Sequence, residues 1–208
     1  MEDILEVYSR PCDEKFPVVC MDEKPLQLLA DARCKIKMKP GKPERVDSEY
    51  IRNGTCSIFL FTEPLSGWRC AEACEHRTKI DWAHHIKWLL ETQYPDAEKV
   101  VLVMDNLNTH NISSLYEAFR PEEALLMAKR LEIHYTPKHG SWLDIAEIEL
   151  SALGRQCLGS KRIDNLLDLN HELEAWYVDR NRKQKGVDWQ FSTDDARIKL
   201  KRLYPIIK

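Results

Sequence analysis

The fold class is decided by the run Lys99-Val100-Val101-Leu102-Val103-Met104-Asp105. This run is too short for a helix and rich in β-branched residues, so it predicts a buried strand that ends at Asp105. A similar run is Phe16-Pro17-Val18-Val19-Cys20-Met21-Asp22, which also ends in an aspartate. Together the two runs predict strands of a parallel or mixed sheet.

The segments around these runs alternate between strand and helix patterns. Two strand-like stretches, 55–62 and 68–75, flank the turn cluster Glu63-Pro64-Leu65-Ser66-Gly67 and predict a hairpin. One more strand is predicted at 131–135, and helices at 78–94, 115–130 with a break at Pro121, 142–157, 166–177 and after Ser192. This order predicts an α/β fold in which helices flank a mixed sheet and a helical extension follows.

The composition is that of an ordinary globular protein, with 43% hydrophobic and 31% charged residues in 208. No apolar run approaches the roughly 18 residues of a membrane span. The acidic, mixed N-terminus lacks the pattern of a signal peptide. The seven cysteines form no Cys-x-x-Cys pair, so free thiols in a reducing cytosol are expected. We therefore expect a cytoplasmic protein with no membrane partner.

The net charge of −3 hides an uneven distribution along the chain. Residues 151–208 carry 12 basic and 8 acidic side chains, a net charge of +4, which leaves −7 for residues 1–150. An acidic body with a basic end is expected if the cations bind a polyanion. A solvated basic helix on a slightly acidic protein explains the same charge pattern.

Asp22 and Asp105 are the informative acids, because the carboxyl ends of strands in an α/β sheet open onto the crevice where ligands bind. Two desolvated carboxylates at close range repel each other unless a cation lies between them. Mg²⁺ suits such a pair, since it is hard and prefers oxygen ligands. Each aspartate alone is better explained as a helix N-cap or the start of a turn. Two such strands in one chain favour the metal site instead.

A third acid is expected on the 142–157 helix. Glu147 and Glu149 border its apolar stripe on opposite sides, and Asp144 lies on a neighbouring face. Spacing alone does not choose among the three.

Several motifs resemble the DDE transposases of the Tc1/mariner superfamily, including the IS630 type of bacterial insertion sequences. The resemblance rests on an Asp-Asn-x-x-x-His segment at a strand end, a Ser-Trp-Leu-x-x-x-Glu helix start and the first strand, with weaker likenesses elsewhere. These motifs are Val103-Met104-Asp105-Asn106-Leu107-Asn108-Thr109-His110, Ser141-Trp142-Leu143 with Ala146-Glu147, and Val19-Cys20-Met21-Asp22-Glu23.

The resemblance implies an RNase H-like fold with Asp22, Asp105 and Glu147 as catalytic acids, and it favours Glu147 over Glu149. It also implies two Mg²⁺ or Mn²⁺ ions held by the three acids. Asn106, His110 and Asp144 are possible accessory residues. The family usually has asparagine where this chain has Asp144, so an extra negative charge is expected there. His110 could orient a phosphate or a water, or simply form a hydrogen bond within its loop.

The implied activity is cleavage of DNA at transposon ends, followed by joining of 3′-hydroxyl ends to target DNA. The expected partners are DNA and a second copy of the chain, in the bacterial cytoplasm at the nucleoid. A helix-turn-helix module that reads the element's ends is expected on a separate or missing segment. The expected divisions are a linker remnant at 1–15, a catalytic domain at 16–160 and a basic helical extension at 161–208.

Three groups of cations are candidate contacts to the DNA backbone. The first alternates along an extended stretch, a pattern that also protects an edge strand from pairing. The groups are Arg33, Lys35, Lys37, Lys39, Lys42 and Arg45; Lys138 and His139; and Arg180, Arg182, Lys183 and Lys185. Two other functions remain open: a structure-selective nuclease that cuts without joining, and a catalytically impaired DNA-binding remnant.

Overall fold

The computed structural model describes residues 1–138, 140–159, 161–183 and 185–204. Its centre is a five-stranded mixed sheet in the order β3-β2-β1-β4-β5. The first three strands along the chain are antiparallel neighbours, and β1, β4 and β5 run parallel. The strands are β1 (Val18–Asp31), β2 (Tyr50–Glu63), β3 (Trp68–Cys74), β4 (Val100–Met104) and β5 (Leu131–Tyr135).

Seven α-helices in the described part of the chain surround the sheet. Two of them, α2 and α5, continue into a π-helical turn, at Leu89–Gln93 and Gly154–Leu158. The helices are α1 (Glu2–Tyr8), α2 (Lys79–Trp88), α3 (Ile112–Ala118), α4 (Pro121–Lys129), α5 (Ile145–Leu153), α6 (Leu166–Lys183) and α7 (Thr193–Lys199).

The sequence signals for the helix ends are confirmed. Thr78 caps α2 through a capping box with Asp81, in which each side chain bonds the other's backbone N–H. Pro121 is the first residue of α4, where its missing N–H costs no helical hydrogen bond, and it separates α4 from α3.

Alternation along the strands divides the core into two layers. Val18 and Cys20 of β1 pack with α1, α5 and α6 on one side, called here the α5 face. Val19 and Met21 pack with α2, α3 and α4 on the other side, called the α2 face. The strand β4 is buried along its whole length, as its uninterrupted apolar run predicts.

Several predicted boundaries differ from the structure, and two of the differences bear on the site. The first strand does not end at Asp22: it continues to Asp31, because beyond Met21 it loses its β4 partner but stays paired with β2. The predicted 142–157 helix begins only at Ile145, after a 3₁₀ turn at Ser141–Leu143.

The ends of the chain join the core. Residues 1–15, expected to be a linker remnant, contain α1, whose Ile4 and Val7 are fully buried. In the predicted extension, α6 packs against β3 and contributes Leu169 and Leu173 to the α5 face. The division at 1–15, 16–160 and 161–208 stays a prediction.

Candidate active site

Asp22 and Asp105 occupy matching positions on neighbouring strands. The parallel pairing of β1 with β4 ends at Met21 and Met104, and each aspartate is the next residue. In β1, alternation places Asp22 on the same side as Cys20, toward the α5 face. The two acids therefore follow neighbouring strands at the same end of the sheet, the end that the apolar runs predicted.

Glu147 comes from the start of α5. Asp144 is the N-cap of this helix, and its Oδ1 accepts a hydrogen bond of 2.9 Å from the backbone N–H of Ala146. Glu147 therefore lies in the first helical turn, where its side chain is exposed. Asp144 itself is 3% exposed, and its Oδ2 has no hydrogen-bond partner within the described residues.

Burial and the charges of the neighbouring acids together raise the pKa of Asp22. Burial is the largest cause, and the nearby charges of Asp105 and Glu147 add to it against the hydrogen bond from the Glu23 backbone N–H, so that the pKa rises to about 6. Burial, followed by the charges of Asp22, Asp105 and Glu147, also raises the pKa of Asp144 well above its usual range. Burial therefore disfavours the charged form of Asp144, the position where the sequence predicts an extra negative charge.

His110 lies between two carboxylates in the loop after β4. Its Nε2 is 2.9 Å from Oε1 of Glu23, and its Nδ1 is 2.6 Å from Oδ1 of Asp105. The Nδ1–H is directed toward the Asp105 backbone carbonyl, 3.4 Å away, and not toward the carboxylate. The contact between Nδ1 and Oδ1 is therefore a close ion pair without a hydrogen bond. Burial alone would lower the pKa of His110, but the contacts with Asp105 and Glu23 raise it to about 9.

Sequence reasoning missed Glu23. The available signal was alternation: if Asp22 faces one layer of the core, the next residue faces the other, and a carboxylate there needs a partner. The partner is 87 residues away, at His110.

Glu149 is held inside the protein. Its Oε2 is 3.1 Å from Nε of Arg69, and both carboxylate oxygens contact Nη2 of Arg180 at 3.0 and 3.1 Å. The Arg69 and Glu149 side chains are 2% and 8% exposed. Glu149 is thus committed to two arginines, and Arg180, expected to be a free cation, is engaged with it.

The stretch from Arg33 to Arg45 forms a narrow two-stranded arm. Bridges link Ile36 to Arg45 and Lys39 to Lys42, and Gly41 turns the chain with φ 73°. Every residue of the arm is exposed. Two of the six predicted cations are paired: Arg33 with Asp47 at 3.4 Å, and Lys35 with Asp31 at 3.4 Å. The other four, Lys37, Lys39, Lys42 and Arg45, have no ion pair within the described chain.

The remaining predicted cations lie elsewhere. Lys138 lines a cleft of about 660 Å³ together with Asp105, Asn106, Leu107 and Tyr135. Arg182, Lys183 and Lys185 are exposed near the end of α6, and Lys183 pairs with Asp179. His139 lies outside the described residues.

The donor chemistry at this edge fits a hard divalent cation. Asp22 and Glu147 have no ion-pair partner among the described residues, so both carboxylates are free to bind such an ion. As the side chains are placed, no three His, Cys, Asp or Glu groups in the described ranges are close enough to hold one ion together. The acids therefore lie in one region, but their side chains are not arranged as a complete metal-binding site.

Comparison with known proteins identifies the family of the chain. The family model of the DDE superfamily endonucleases matches residues 17–170. The chain belongs to this family. No curated protein sequence gives a significant match.

Solved structures show the fold of this DDE endonuclease. A Mos1 mariner paired-end complex with Mn matches with a TM-score of 0.55 and 18% identity, over 88% of this chain and 56% of that chain. The Mos1 strand transfer complex matches with a TM-score of 0.56, 17% identity and coverage of 88% and 56%. The catalytic domain of Mos1 mariner transposase matches with a TM-score of 0.54, 14% identity and coverage of 88% and 84%.

These matches confirm the predicted RNase H-like arrangement of a mixed sheet flanked by helices. The chain spans little more than half the length of the chains in the two complexes. Among the residues that the structure describes, none of the helices combines the length and the apolar character needed to cross a bilayer.

Proposed function

We propose that this DDE endonuclease is the catalytic domain of a transposase that cuts DNA at transposon ends and joins the 3′-hydroxyl ends to target DNA. The observation that carries the proposal is the matched placement of Asp22 and Asp105 at the end of the β1–β4 pairing, with Glu147 in their electrostatic neighbourhood. The Mos1 complexes named above, one with paired ends and one at strand transfer, support the same reaction class.

Asp22, Asp105 and Glu147 would hold two Mg²⁺ or Mn²⁺ ions. Asp22 would be the ligand shared by both ions, while Asp105 and Glu147 would each serve one of them. When bound, such ions supply Lewis-acid activation and charge neutralisation in phosphoryl transfer. The protein's own part is positioning, because phosphodiester exchange needs little covalent chemistry from side chains. Neither water nor a DNA 3′-hydroxyl requires a side-chain nucleophile.

Each element of the site has a positioning task. The strands β1 and β4 fix the backbone of the two aspartates, since both are buried up to the residue before the acid. The Asp144 cap fixes where α5 begins, and so fixes the first turn that carries Glu147. The side of Asp105 toward Lys138 stays open as a cleft in which a phosphate could be held.

DNA would be held by the four unpaired cations of the arm together with Lys138, Arg182 and Lys185. A homodimer across two element ends, a helix-turn-helix module on another segment and a location at the bacterial nucleoid complete the proposal.

Metal-dependent cleavage tests the proposal directly. Wild-type protein should nick plasmid DNA in Mg²⁺ or Mn²⁺, and it should join a precut end carrying a 3′-hydroxyl to a target. Asp22→Asn, Asp105→Asn and Glu147→Gln should each lower both rates on the order of 10²–10³-fold or more, as for loss of a group aimed at the developing charge. Glu174→Gln, an exposed substitution on α6, is the matched control.

The two other functions give different results in the same assays. Cutting without joining of a precut end would identify a nuclease. A folded wild-type protein that binds DNA but does not cut it with either metal would overturn catalysis and leave a binding remnant. If no cleavage is seen, the cleavage assay should be repeated with a helix-turn-helix module fused to the chain. This control separates a failure to bind the DNA from a failure to cut it.

Salt dependence tests the arm. Replacing Lys37, Lys39, Lys42 and Arg45 with glutamine should lower the slope of log K against log salt by about 0.9 for each DNA phosphate that the arm no longer neutralises. Lys129→Gln, an exposed cation on α4, removes one charge elsewhere as a control. An unchanged slope in the fourfold variant would exclude the arm from the DNA interface.

A further inference from the structure

Glu23 and His110 are two buried ionisable side chains that the proposed chemistry does not use. The His110 side chain is 0% exposed and that of Glu23 is 2% exposed, so neither can reach DNA. Both lie directly behind Asp105, which is 39% exposed. Buried groups of this kind cost folding free energy unless they are paired.

The contacts join the three residues into one chain. Glu23 Oε1 is 2.9 Å from His110 Nε2, and His110 Nδ1 is 2.6 Å from Asp105 Oδ1. Both ring nitrogens therefore lie within ion-pair distance of a carboxylate oxygen. The order Glu23, His110, Asp105 runs from the α2 face to the edge of the sheet.

One face of the His110 ring and two points of the His110 backbone are held by the core. It stacks on Trp82 at 6.2 Å between ring centroids and 30° between planes. Tyr135 donates a hydrogen bond of 2.8 Å to the His110 carbonyl, and the His110 N–H donates to the Leu107 carbonyl at 3.0 Å. The position of Nδ1 is thus fixed by the core.

The two oxygens of Asp105 are consequently different. Oδ1 is buried against the ring, so the exposure of the side chain comes from its other atoms, including Oδ2. An oxygen committed to a fixed ring sets the direction in which its partner oxygen points. This is the arrangement by which outer residues orient the carboxylates that bind metal ions.

We infer that Glu23 and His110 are positioning residues for Asp105, with Glu23 acting through the His110 ring to aim Asp105 Oδ2 at the bound ion and phosphate. This inference rests on the proposed role of Asp105. It adds two residues to the site and assigns Glu23, the direct neighbour of Asp22, to a different task from Asp22.

Metal binding without DNA tests the inference. In the full chain, Glu23→Ala should weaken Mn²⁺ binding by about 10–100-fold in calorimetry, the range found when outer partners of metal ligands are removed. Glu23→Gln keeps an acceptor oxygen in the same place and should retain most of the affinity. Glu72→Ala removes another glutamate that contacts a histidine, His85 at 3.7 Å, and serves as the matched control.

A double-mutant cycle separates positioning from general damage. If Glu23 acts through Asp105, Glu23→Ala should cause little further loss of Mn²⁺ affinity in an Asp105→Asn background. An equal loss in both backgrounds, or wild-type affinity in folded Glu23→Ala, would overturn the inference. In nicking assays Glu23→Ala should lower kcat more than it raises KM for DNA, and the conservative Glu23→Gln should restore most of the lost kcat.

A measurement without metal keeps the inference testable if Glu23→Ala fails to fold. ¹⁵N-edited NMR of the wild type should show a slowly exchanging proton on the His110 ring, and Asp105→Asn should shift the ring ¹⁵N signals. A ring proton that exchanges rapidly, or ring signals that Asp105→Asn leaves unchanged, would refute the positioning role even if DNA is cut. The expected signals in a protein that cuts no DNA would instead refute the proposed function and leave the pair intact.

Discussion

Asp22 and Asp105 are each the first residue beyond the Met21–Met104 pair that ends the parallel pairing of β1 with β4. On its other side, Asp22 stays paired with Leu60 of β2, so the backbone beneath it cannot move away from Asp105. The charged form of Asp22 is penalised first by burial and then by the charges of Asp105 and Glu147. This penalty must lower the stability of the protein when no cation is bound.

The first prediction concerns this stability cost at Asp22. Its pKa is raised to about 6, so between about pH 4 and 6 the folded protein binds more protons than the unfolded chain. The free energy of unfolding should therefore fall as the pH rises through that window and stay low above it. Asp22→Asn removes the effect and should stabilise the metal-free protein at pH 7 by about 2–3 kcal/mol, with little difference at pH 4.

Urea unfolding at pH 4 and pH 7 without divalent ions measures this difference. Asp188→Asn, an exposed substitution, should change stability equally little at both pH values. Added Mg²⁺ should stabilise the wild type by mass action but not Asp22→Asn. A gain that is the same at both pH values would contradict the assigned cause.

The strand runs of this protein were readable from sequence because their burial is continuous. The length of β1 was not, because Glu23, Lys24 and Pro25 follow Asp22 and carry no strand pattern. These residues extend β1 through pairing with β2 alone. Pro25 fits there, since a strand with one neighbour has N–H positions that need no partner.

The choice between Glu147 and Glu149 shows the same limit at the site. Both border the apolar stripe of α5, so periodicity treats them alike. The difference comes from Arg69, 80 residues away, and Arg180, 31 residues away, which bind Glu149. Partners at such separations are set by tertiary packing and leave no local signal.

The second prediction tests this ion cluster. Glu149→Ala leaves Arg69 buried without its acid, and breaking a buried pair in this way costs about 3–5 kcal/mol. Arg180→Ala should cost less, because that side chain is 24% exposed. Urea denaturation measures both, with exposed Glu174→Ala as the control. A cost below about 1 kcal/mol for Glu149→Ala, the scale of a surface pair, would show that the cluster does not hold α5 in place.

The third prediction concerns the open edge of β3, which two asparagines of α6 cover. Asn170 Oδ1 accepts from the Ala73 N–H at 2.7 Å, and its Nδ2 donates to the Ala73 carbonyl at 3.0 Å. Asn181 makes the same two contacts with Arg69, at 3.0 and 2.7 Å. Each amide thus replaces one residue of a missing strand.

Asn170→Ala should lower the free energy of unfolding by about 1–3 kcal/mol, because two backbone groups lose their partners. It should also increase light scattering near the unfolding midpoint, since an uncovered edge pairs with other chains. Asn170→Asp keeps the acceptor but loses the donor, so it should be comparably destabilising. His171→Ala, on the next and exposed position of α6, is the control. Equal stability of Asn170→Ala and His171→Ala would contradict the role.

The fourth prediction compares two glycines that have nearly the same φ angle. Gly67, in the β2–β3 turn, has φ 75°, and Gly41, in the arm, has φ 73°. A Cβ on Gly41 would meet nothing within 4 Å, whereas on Gly67 it would lie 2.7 Å from the backbone carbon of Lys185. Gly41→Ala should therefore cost only the left-handed conformation, about 1–2 kcal/mol. Gly67→Ala carries the same cost and must also push the chain after α6 away from the sheet, breaking the 2.6 Å hydrogen bond from the Val187 N–H to the Pro64 carbonyl.

Urea unfolding should show a larger drop in stability for Gly67→Ala, and limited proteolysis should show faster cleavage near residues 185–191 in that variant alone. Equal drops and equal cleavage would mean that the C-terminal extension is not fastened at this turn.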